Sequence, residues 1–296
     1  MTFKSIEKNF GRAHAFGRLA GSLLLNQVLM KRIASRTDQG HPQLAVYSQD
    51  LIGQAINVYG WWEHEQLALL RQFIVQTMGR GGAMLDVGAN IGNHSVCLCD
   101  LFDEVHAVEA NPRTYKLLEF NAAPHAHMKT YQLAASDERR LLSFQVESIN
   151  VGASRVVDGD RDRQPPCPRI EVQAARLDDV LRPNAPLRLV KIDVEGHELQ
   201  VIRGMSGLLA THGPCVVFEQ QAVDFVDGSS AVITALRGCG YTRFFTVERT
   251  PSSRQGGRLN QVRSNLVALV RGLRMQIVET GRFAPAFYEM IIAVKA

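Results

Sequence analysis

The residues best suited to chemistry fall into a few short stretches. The first is Asp86-Val87-Gly88-Ala89-Asn90-Ile91-Gly92, which closes a strand predicted over Met84–Val87 and opens a helix. Glycines let a backbone turn tightly and let a ligand approach it. The helix that follows offers free N–H groups and the positive end of its dipole. A dinucleotide turn needs Gly-x-Gly-x-x-Gly. Here Gly88 and Gly92 are four apart, Asn90 stands where the second glycine belongs, and no phosphate-binding lysine follows. The run opens with an acid, Asp86, which suits a ligand carrying an amine. Glu109 ends a second predicted strand, Val105–Glu109, 21 residues beyond Gly88. A carboxylate there accepts hydrogen bonds from ribose hydroxyls. Asp137 follows a third predicted strand and can meet the exocyclic amine of adenine. Taken singly, Glu109 and Asp137 are ordinary strand-end and turn acids. In order, at the ends of successive strands, the three acids describe a site for S-adenosylmethionine.

The second stretch is Lys191-Ile192-Asp193-Val194-Glu195-Gly196-His197-Glu198, directly after an apolar strand over Leu189–Ile192. Ligands of open α/β sheets sit outside the carboxyl ends of the strands, so Asp193 is placed to reach the cofactor or the acceptor. Methyl transfer from a sulfonium is an in-line displacement in which positioning supplies much of the rate. An alcohol acceptor also needs a base. The candidates are Asp193, Glu195, His197 and Glu219, the last at the end of a strand over Cys215–Glu219. Glu198 reads as a charge at a helix start. His94, just inside the first helix, reads equally as a local structural contact. No metal is expected; the alternative is Mg²⁺ held by Asp193 and Glu219 to orient a diol. Trp61 and Trp62, with Tyr59, can stack on a sugar face or cover the cofactor, and Glu63 stands beside them as an acid. They can also dock the N-terminal segment on the sheet.

Elements must carry these groups to one place. Helical spacing runs through residues 1–36, short strands are predicted at 43–47 and 56–59, and a helix spans Glu63–Met78. Strands and helices then alternate: helix Gly92–Leu101, strand Val105–Glu109, helix Pro112–Asn121, strand Thr130–Ala134. That order implies parallel strands with right-handed crossovers. Leu141–Glu147 and Ile170–Ala174 read as an antiparallel pair around an exposed loop at Asp158–Pro168. A short helix at Leu177–Leu181 precedes the fourth core strand, and a helix over Glu198–Leu209 precedes the fifth. Phe244–Val247 and Phe287–Val294 read as the last strands, with a helical insertion at Leu259–Val278 between them.

The order of LDVGANIGNHS, VHAVEANP, LAASD, LVKIDVEGHELQVIRGM and CVVFEQ resembles the FkbM family of S-adenosylmethionine-dependent methyltransferases. Residues 150–154 (NVGAS) and the LDDVL of Leu177–Leu181 are similar to further segments of that family. The similarity runs from Tyr59 to Gln220 and includes the closing strand pair. It implies an α/β class I methyltransferase fold, Rossmann-like, with a seven-stranded, mostly parallel sheet whose last strand is antiparallel. It implies a catalytic domain over residues 59–296, with its insertion at 254–281, behind an extension over 1–58. Cofactor contacts are expected at Asp86, Gly88, Asn90 and Gly92, at Glu109 and Ala110, and at Ser136, Asp137 and Asp193. Acceptor contacts are expected at Trp61, Trp62 and Glu63 and at Asn150 and Ser154. The implied reaction is O-methylation of a sugar, glycolipid or natural product carrying a free hydroxyl.

Composition bounds the alternatives. Hydrophobic residues make up 46% and charged residues 21%, enough for a large core and unlike a disordered or fibrous chain. Five cysteines do not make a disulfide scaffold, and a reducing cytoplasm fits them. No signal peptide or membrane span is expected, since the apolar run Leu23–Met30 is broken by Asn26 and Gln27. Net charge is +4, but residues 1–40 hold seven Lys/Arg against two Asp/Glu, and residues 249–282 hold seven Arg against one Glu. An acidic body with two basic appendages is not the profile of a nucleic-acid binder. The appendages read as a lid or homodimer face, or as peripheral contact with an anionic membrane. The rival functions are a nicotinamide-dependent oxidoreductase, opposed by the glycine spacing, and a non-catalytic interaction module, opposed by the retained acids.

Overall fold

The computed structural model describes residues 30–31, 34–36, 41–147, 151–157, 168–250 and 274–295. Of the helix expected over residues 1–36, residues 30–31 and 34–36 are described and are helical; its remainder, the loop expected at 158–168 up to residue 167, and most of the insertion at 259–278 lie outside the described residues. Residues 43–47, expected as a strand, form no ladder. Residues 56–59, also expected as a strand, close a helix, Leu51–Tyr59 (α1). Its first turn is capped by the Asp50 carboxylate, which accepts from the Ile52 and Gly53 N–H groups at 3.1 and 3.3 Å. Ile52 and Ile56, four residues apart, bury one face of α1 against Ile91. The cap and that face override the β-branched residues in INVY. His64–Thr77 (α2) follows as expected.

Ala83–Val87 (β1) and Glu104–Glu109 (β2) are buried at every position, as strands covered on both faces are. Asn93–Leu98 (α3) and a 3₁₀ turn at Cys99–Leu101 connect them. Pro112–Ala122 (α4) leads to Met128–Gln132 (β3). The third strand was expected to run on to Ala134, but Ala134–Ala135 (β4) leaves the main sheet and pairs with Arg169–Ala175 (β7). With Leu141–Gln145 (β5) and Arg155–Val156 (β6), these form a four-stranded side sheet. Leu177–Val180 (α5) and Leu187–Ile192 (β8) follow. The expected helix after β8 is two, Glu198–Gly204 (α6) and Ser206–His212 (α7). A Cβ at Gly204 would overlap the Ser136 carbonyl oxygen, so its absence lets α6 lie against the end of β4. Cys215–Gln220 (β9) ends near a short helix absent from the sequence reading, Ala231–Gly238 (α8), capped by Ser230 Oγ on the Ile233 N–H at 3.2 Å.

The main sheet closes with Tyr241–Thr250 (β10), Arg274–Glu279 (β11) and Tyr288–Lys295 (β12). Its order is β11-β10-β12-β9-β8-β1-β2-β3. The strands β3, β2, β1, β8 and β9 are parallel, and β12 runs antiparallel between β9 and β10. This is the expected mostly parallel sheet with its antiparallel closing strand, enlarged from seven strands to eight. The added strand, β11, occupies the end of the segment expected to be helical. Met275 and Ile277 alternate onto one face of β11 and pack there, and β10 is long enough to pair all six residues of it. Period-two packing on an available edge wins over the helical spacing that ends at Leu273 and Ile277.

Side chains of β1 divide between two cores. Leu85 and Val87 pack with Ile192, Val201, Ile202 and Ile233 on one face. Met84 packs with Leu67, Leu70 and Ile74 of α2 on the other. The chain leaves β1 toward β2 and β3, then returns to its other side at β8. The crevice between the ends of β1 and β8 is therefore the topological switch point, where ligands of such sheets bind.

Candidate active site

Two backbone turns meet at that switch point. The Gly88 N–H donates to the Val108 carbonyl at 2.9 Å, and the Asp193 N–H donates to the Val87 carbonyl at 2.9 Å. Gly88 sits at φ +78°, and a Cβ there would overlap the Asp193 carbonyl oxygen. Only glycine allows the two turns this approach. Among the described residues, four without glycine's freedom take positive φ: Glu63, Asn90, Glu195 and Asp227. Three of the four wall one cleft, and such strain gathers where side chains must be aimed.

The cleft spans about 1080 Å³ out to its mouth. Gly88, Asn90, Glu109 and Ala110 of the expected cofactor set wall it, as does Asp193. Glu109 is anchored by two backbone donors, Asn90 N–H at 2.9 Å and Asn111 N–H at 2.7 Å. Burial, with the nearby Asp86 and Asp193 charges, still pushes its carboxyl up to about 7 against those donors. Gly92 caps α3 at φ +90° with its Cβ position facing Leu118, and it supports the turn from behind. Leu133, Ala134 and Ala135 complete the wall beside Glu109. Thr114 Oγ1, at the same wall, is buried and has no hydrogen-bond partner among the described residues.

Besides Gly92, three expected cofactor residues do not reach the cleft wall. Asp86 is fully buried: Ser95 Oγ donates to its Oδ2 at 2.6 Å, and Lys191 Nζ lies 3.7 Å from its Oδ1. The amine that the sequence assigned to a ligand is supplied internally by Lys191. Ser136 is buried with its Oγ 3.0 Å from His197 Nε2. Asp137 is half-buried beside it and receives the Ser136 hydroxyl at 3.3 Å. Lys191 is the hidden feature of the site. Burial pushes its ammonium down, but Asp193, Asp86 and Glu63 outweigh burial and hold it above its ordinary pKa. Its Nζ lies 3.1 Å from Asp193 Oδ2. Sequence signalled it only as the residue before Ile192.

The candidate bases part company. Asp193, Glu195 and Glu219 wall the cleft. Burial, then Asp193 and Glu198, push Glu195 up to about 7; burial, then Asp193, Glu195 and Glu63, push Glu219 up to about 8. His197 reaches the wall too, but it is buried and engaged with Ser136. Among the described residues, no group of three His, Cys, Asp or Glu is arranged to hold a metal ion. Beside Asp193, the cation-holding place of the Mg²⁺ alternative is taken by the Lys191 ammonium.

Of the expected acceptor residues, Trp62, Glu63 and Ser154 wall the cleft. Ser154 Oγ accepts from the Glu147 N–H at 3.0 Å. Trp61 turns away and packs on the α2 core, its ring 5.8 Å from that of His41. Asn150 lies outside the described residues. His94, which the sequence left undecided, stands in the wall with Nε2 3.2 Å from Glu63 Oε2.

In all, five carboxylates and one lysine ammonium wall the cleft, with His94 and His197. Such a wall suits a cation and donors of hydroxyl hydrogen bonds. The sequence profile of the Methyltransferase FkbM domain matches residues 86–243, more than half of the chain. The chain belongs to the FkbM methyltransferase family. The matched segment begins at Asp86 and covers both turns of the switch point. The chain is 32% identical over 148 residues to the hexuronic acid methyltransferase AglP of Haloferax volcanii. That match covers 47% of this chain and spans 56% of the relative's length. Among solved structures, an FkbM methyltransferase from Methylobacillus flagellatus KT aligns at 16% identity and a TM-score of 0.37, over 67% of this chain and 49% of that one. An O-methyltransferase from Bacillus cereus in complex with SAH aligns at 10% identity and a TM-score of 0.39, over 95% and 97%.

Proposed function

We propose that this protein transfers a methyl group from S-adenosylmethionine to a hydroxyl of a sugar, glycolipid or natural-product acceptor. The observation that carries the reading is the acidic wall of the cleft at the switch point: five carboxyl groups, three of them raised to about 7 or 8 chiefly by burial, against one lysine. A nicotinamide dinucleotide would bring a diphosphate against those acids, with a single ammonium already bound to Asp193 and Asp86. A sulfonium meets no such penalty. The residues fit the cofactor on a further count: at the cleft wall Thr114 Oγ1 is a buried hydroxyl with no partner among the described residues.

Glu109 would hold the ribose hydroxyls, since two backbone donors fix its carboxylate and leave lone pairs free. Asn90 and Ala110 would border the nucleoside, and Asp193 would face the amino-acid end. Asp86, Ser136, Asp137 and Gly92 would act from behind the wall, holding Lys191, His197 and the two turns. Bound there, S-adenosylmethionine supplies an activated methyl group. Glu195 and Glu219 would hold acceptor hydroxyls, and Trp62 and Ser154 would border the acceptor. The relative's hexuronic acid makes uronate-bearing glycans the first acceptors to try.

Calorimetry tests the reading. S-adenosylmethionine and its demethylated product should both bind, NAD should not, and Glu109→Ala should weaken cofactor binding by ~1–3 kcal/mol through the lost acceptor. Binding of NAD in preference to both would sink the proposal.

A further inference from the structure

Glu63 and His94 come from different elements and are brought together with care. The Asn93 side chain clamps the backbone of Trp62 twice: its Oδ1 accepts the Trp62 N–H at 3.0 Å, and its Nδ2 donates to the Trp62 carbonyl at 3.1 Å. One residue along on each strand of that clamp, His94 Nε2 meets Glu63 Oε2 at 3.2 Å. Glu63 is held in the left-handed region at φ +53° as it launches α2. The two side chains are 11% and 23% exposed. A carboxylate only accepts, so the contact assigns the ring proton to Nε2 and leaves the lone pair on Nδ1. Among the described residues, Nδ1 makes no hydrogen bond.

The pair stands at the acceptor end. His94, Glu63, Lys191, Asp193 and Glu219 wall both the main cleft and a smaller cavity beside it, whereas Glu109 walls the main cleft alone. Of the other acids there, Asp193 is tied to Lys191 at 3.1 Å and burial pushes the Glu219 carboxyl up to about 8; Glu195 walls the main cleft but not the smaller cavity.

Resting on the methyltransferase reading, we propose that His94 is the general base of the transfer and that Glu63 orients its ring. The acceptor oxygen forms its bond to the methyl carbon as the carbon–sulfur bond breaks. The electron pair of that bond goes to sulfur, and the hydroxyl proton goes to Nδ1. The positive charge lost at sulfur reappears on the imidazolium, beside Glu63, so the acidic wall serves both states. The ionisable groups that share the smaller cavity with the ring are Glu63, Lys191, Asp193, Glu219 and Glu289.

The test begins with ¹⁵N-histidine NMR of the full chain bound to S-adenosylhomocysteine, which needs no acceptor. The neutral ring of His94 should be the Nε2-protonated tautomer, and Glu63→Gln should let the Nδ1-protonated tautomer appear beside it. Transfer of labelled methyl to methyl glycosides of glucose, mannose, galactose and glucuronic acid follows. On any glycoside accepted, His94→Gln should lower kcat by ~10²–10⁴ while the KM for S-adenosylmethionine changes little. An Nδ1-protonated ring, a tautomer indifferent to Glu63→Gln, or a raised cofactor KM at normal kcat would each overturn the base and leave the methyltransferase reading standing. If no glycoside is accepted, the tautomer and its response to Glu63→Gln decide. If the wild-type chain fails to bind S-adenosylhomocysteine at all, the methyltransferase reading itself falls, and the base with it.

Discussion

Lys191 and Asp86 carry a lesson about single residues. Both belong to stretches that the sequence marked as functional, and the strand ends place both at the switch point. Yet Asp86 points inward, and its partners, Ser95 and Lys191, come from α3 and β8. A motif gives a residue's position along a strand; the direction of its side chain depends on neighbours far off in sequence. The same holds for Trp61, which turns to the α2 core while its neighbour Trp62 faces the cleft. Lys191→Met is therefore expected to act first on stability. It leaves the Asp86 carboxylate buried without its counter-charge, a loss on the order of 3–5 kcal/mol. Urea denaturation measures it, and a change under ~1 kcal/mol would show that Ser95 alone satisfies Asp86.

At the scale of elements, the turn between β1 and α3 is the part least open to change. Gly88→Ala needs an L-residue at φ +78° and a Cβ within the Asp193 carbonyl, so β1 and β8 must separate where the cofactor is proposed to lie. Loss of cofactor affinity by ~10-fold or more is expected together with a lower Tm. Isothermal titration and thermal melts check both, and an unchanged affinity would move the cofactor off this turn. The elements themselves were legible where one signal dominated. The alternation of apolar strands and helices from Met84 to Glu219 gave the parallel core, because buried parallel strands carry unbroken apolar runs. It failed where two signals competed. INVY has strand propensity, but Asp50 offers a cap and Ile52 and Ile56 a buried helical face. The residues before Glu279 combine helical spacing with the Met275/Ile277 alternation, and only the open edge of β10 decides between them. The α8 helix was missed although Ser230 and the spacing of Val232, Ile233 and Leu236 announce it.

For the molecule as a whole, the scaffold acids and three acids of the cleft titrate in opposite directions. Glu104, held by Lys129, Asn184 and His106 against its burial, sits near 2, and Asp100 is also lowered, as is Glu63 of the cleft beside His94. A lowered carboxyl contributes stability above its unfolded pKa and loses it as pH falls through the folded one. These groups therefore remove stability below about pH 4.5. Glu109 and Glu195 are raised to about 7 and Glu219 to about 8, by burial first and by one another's neighbours second. A raised carboxyl does the reverse: its contribution is full below the unfolded pKa and is lost as pH rises through the folded one. Without ligand, stability should peak near about pH 5 and fall steadily to about pH 8. The alkaline limb is the part that the proposed function explains, since the acids that charge there face the cleft. A bound sulfonium favours their ionised forms, so S-adenosylmethionine should flatten the limb and release protons on binding. Its demethylated product, lacking that positive charge, should flatten it less. Glu219→Gln should flatten it with no ligand present. Thermal melts from pH 4 to 9 for the three states, and calorimetry in buffers of different ionisation enthalpy, measure each effect. A limb that is equally steep with and without S-adenosylmethionine would mean that the raised carboxyls do not face the sulfonium.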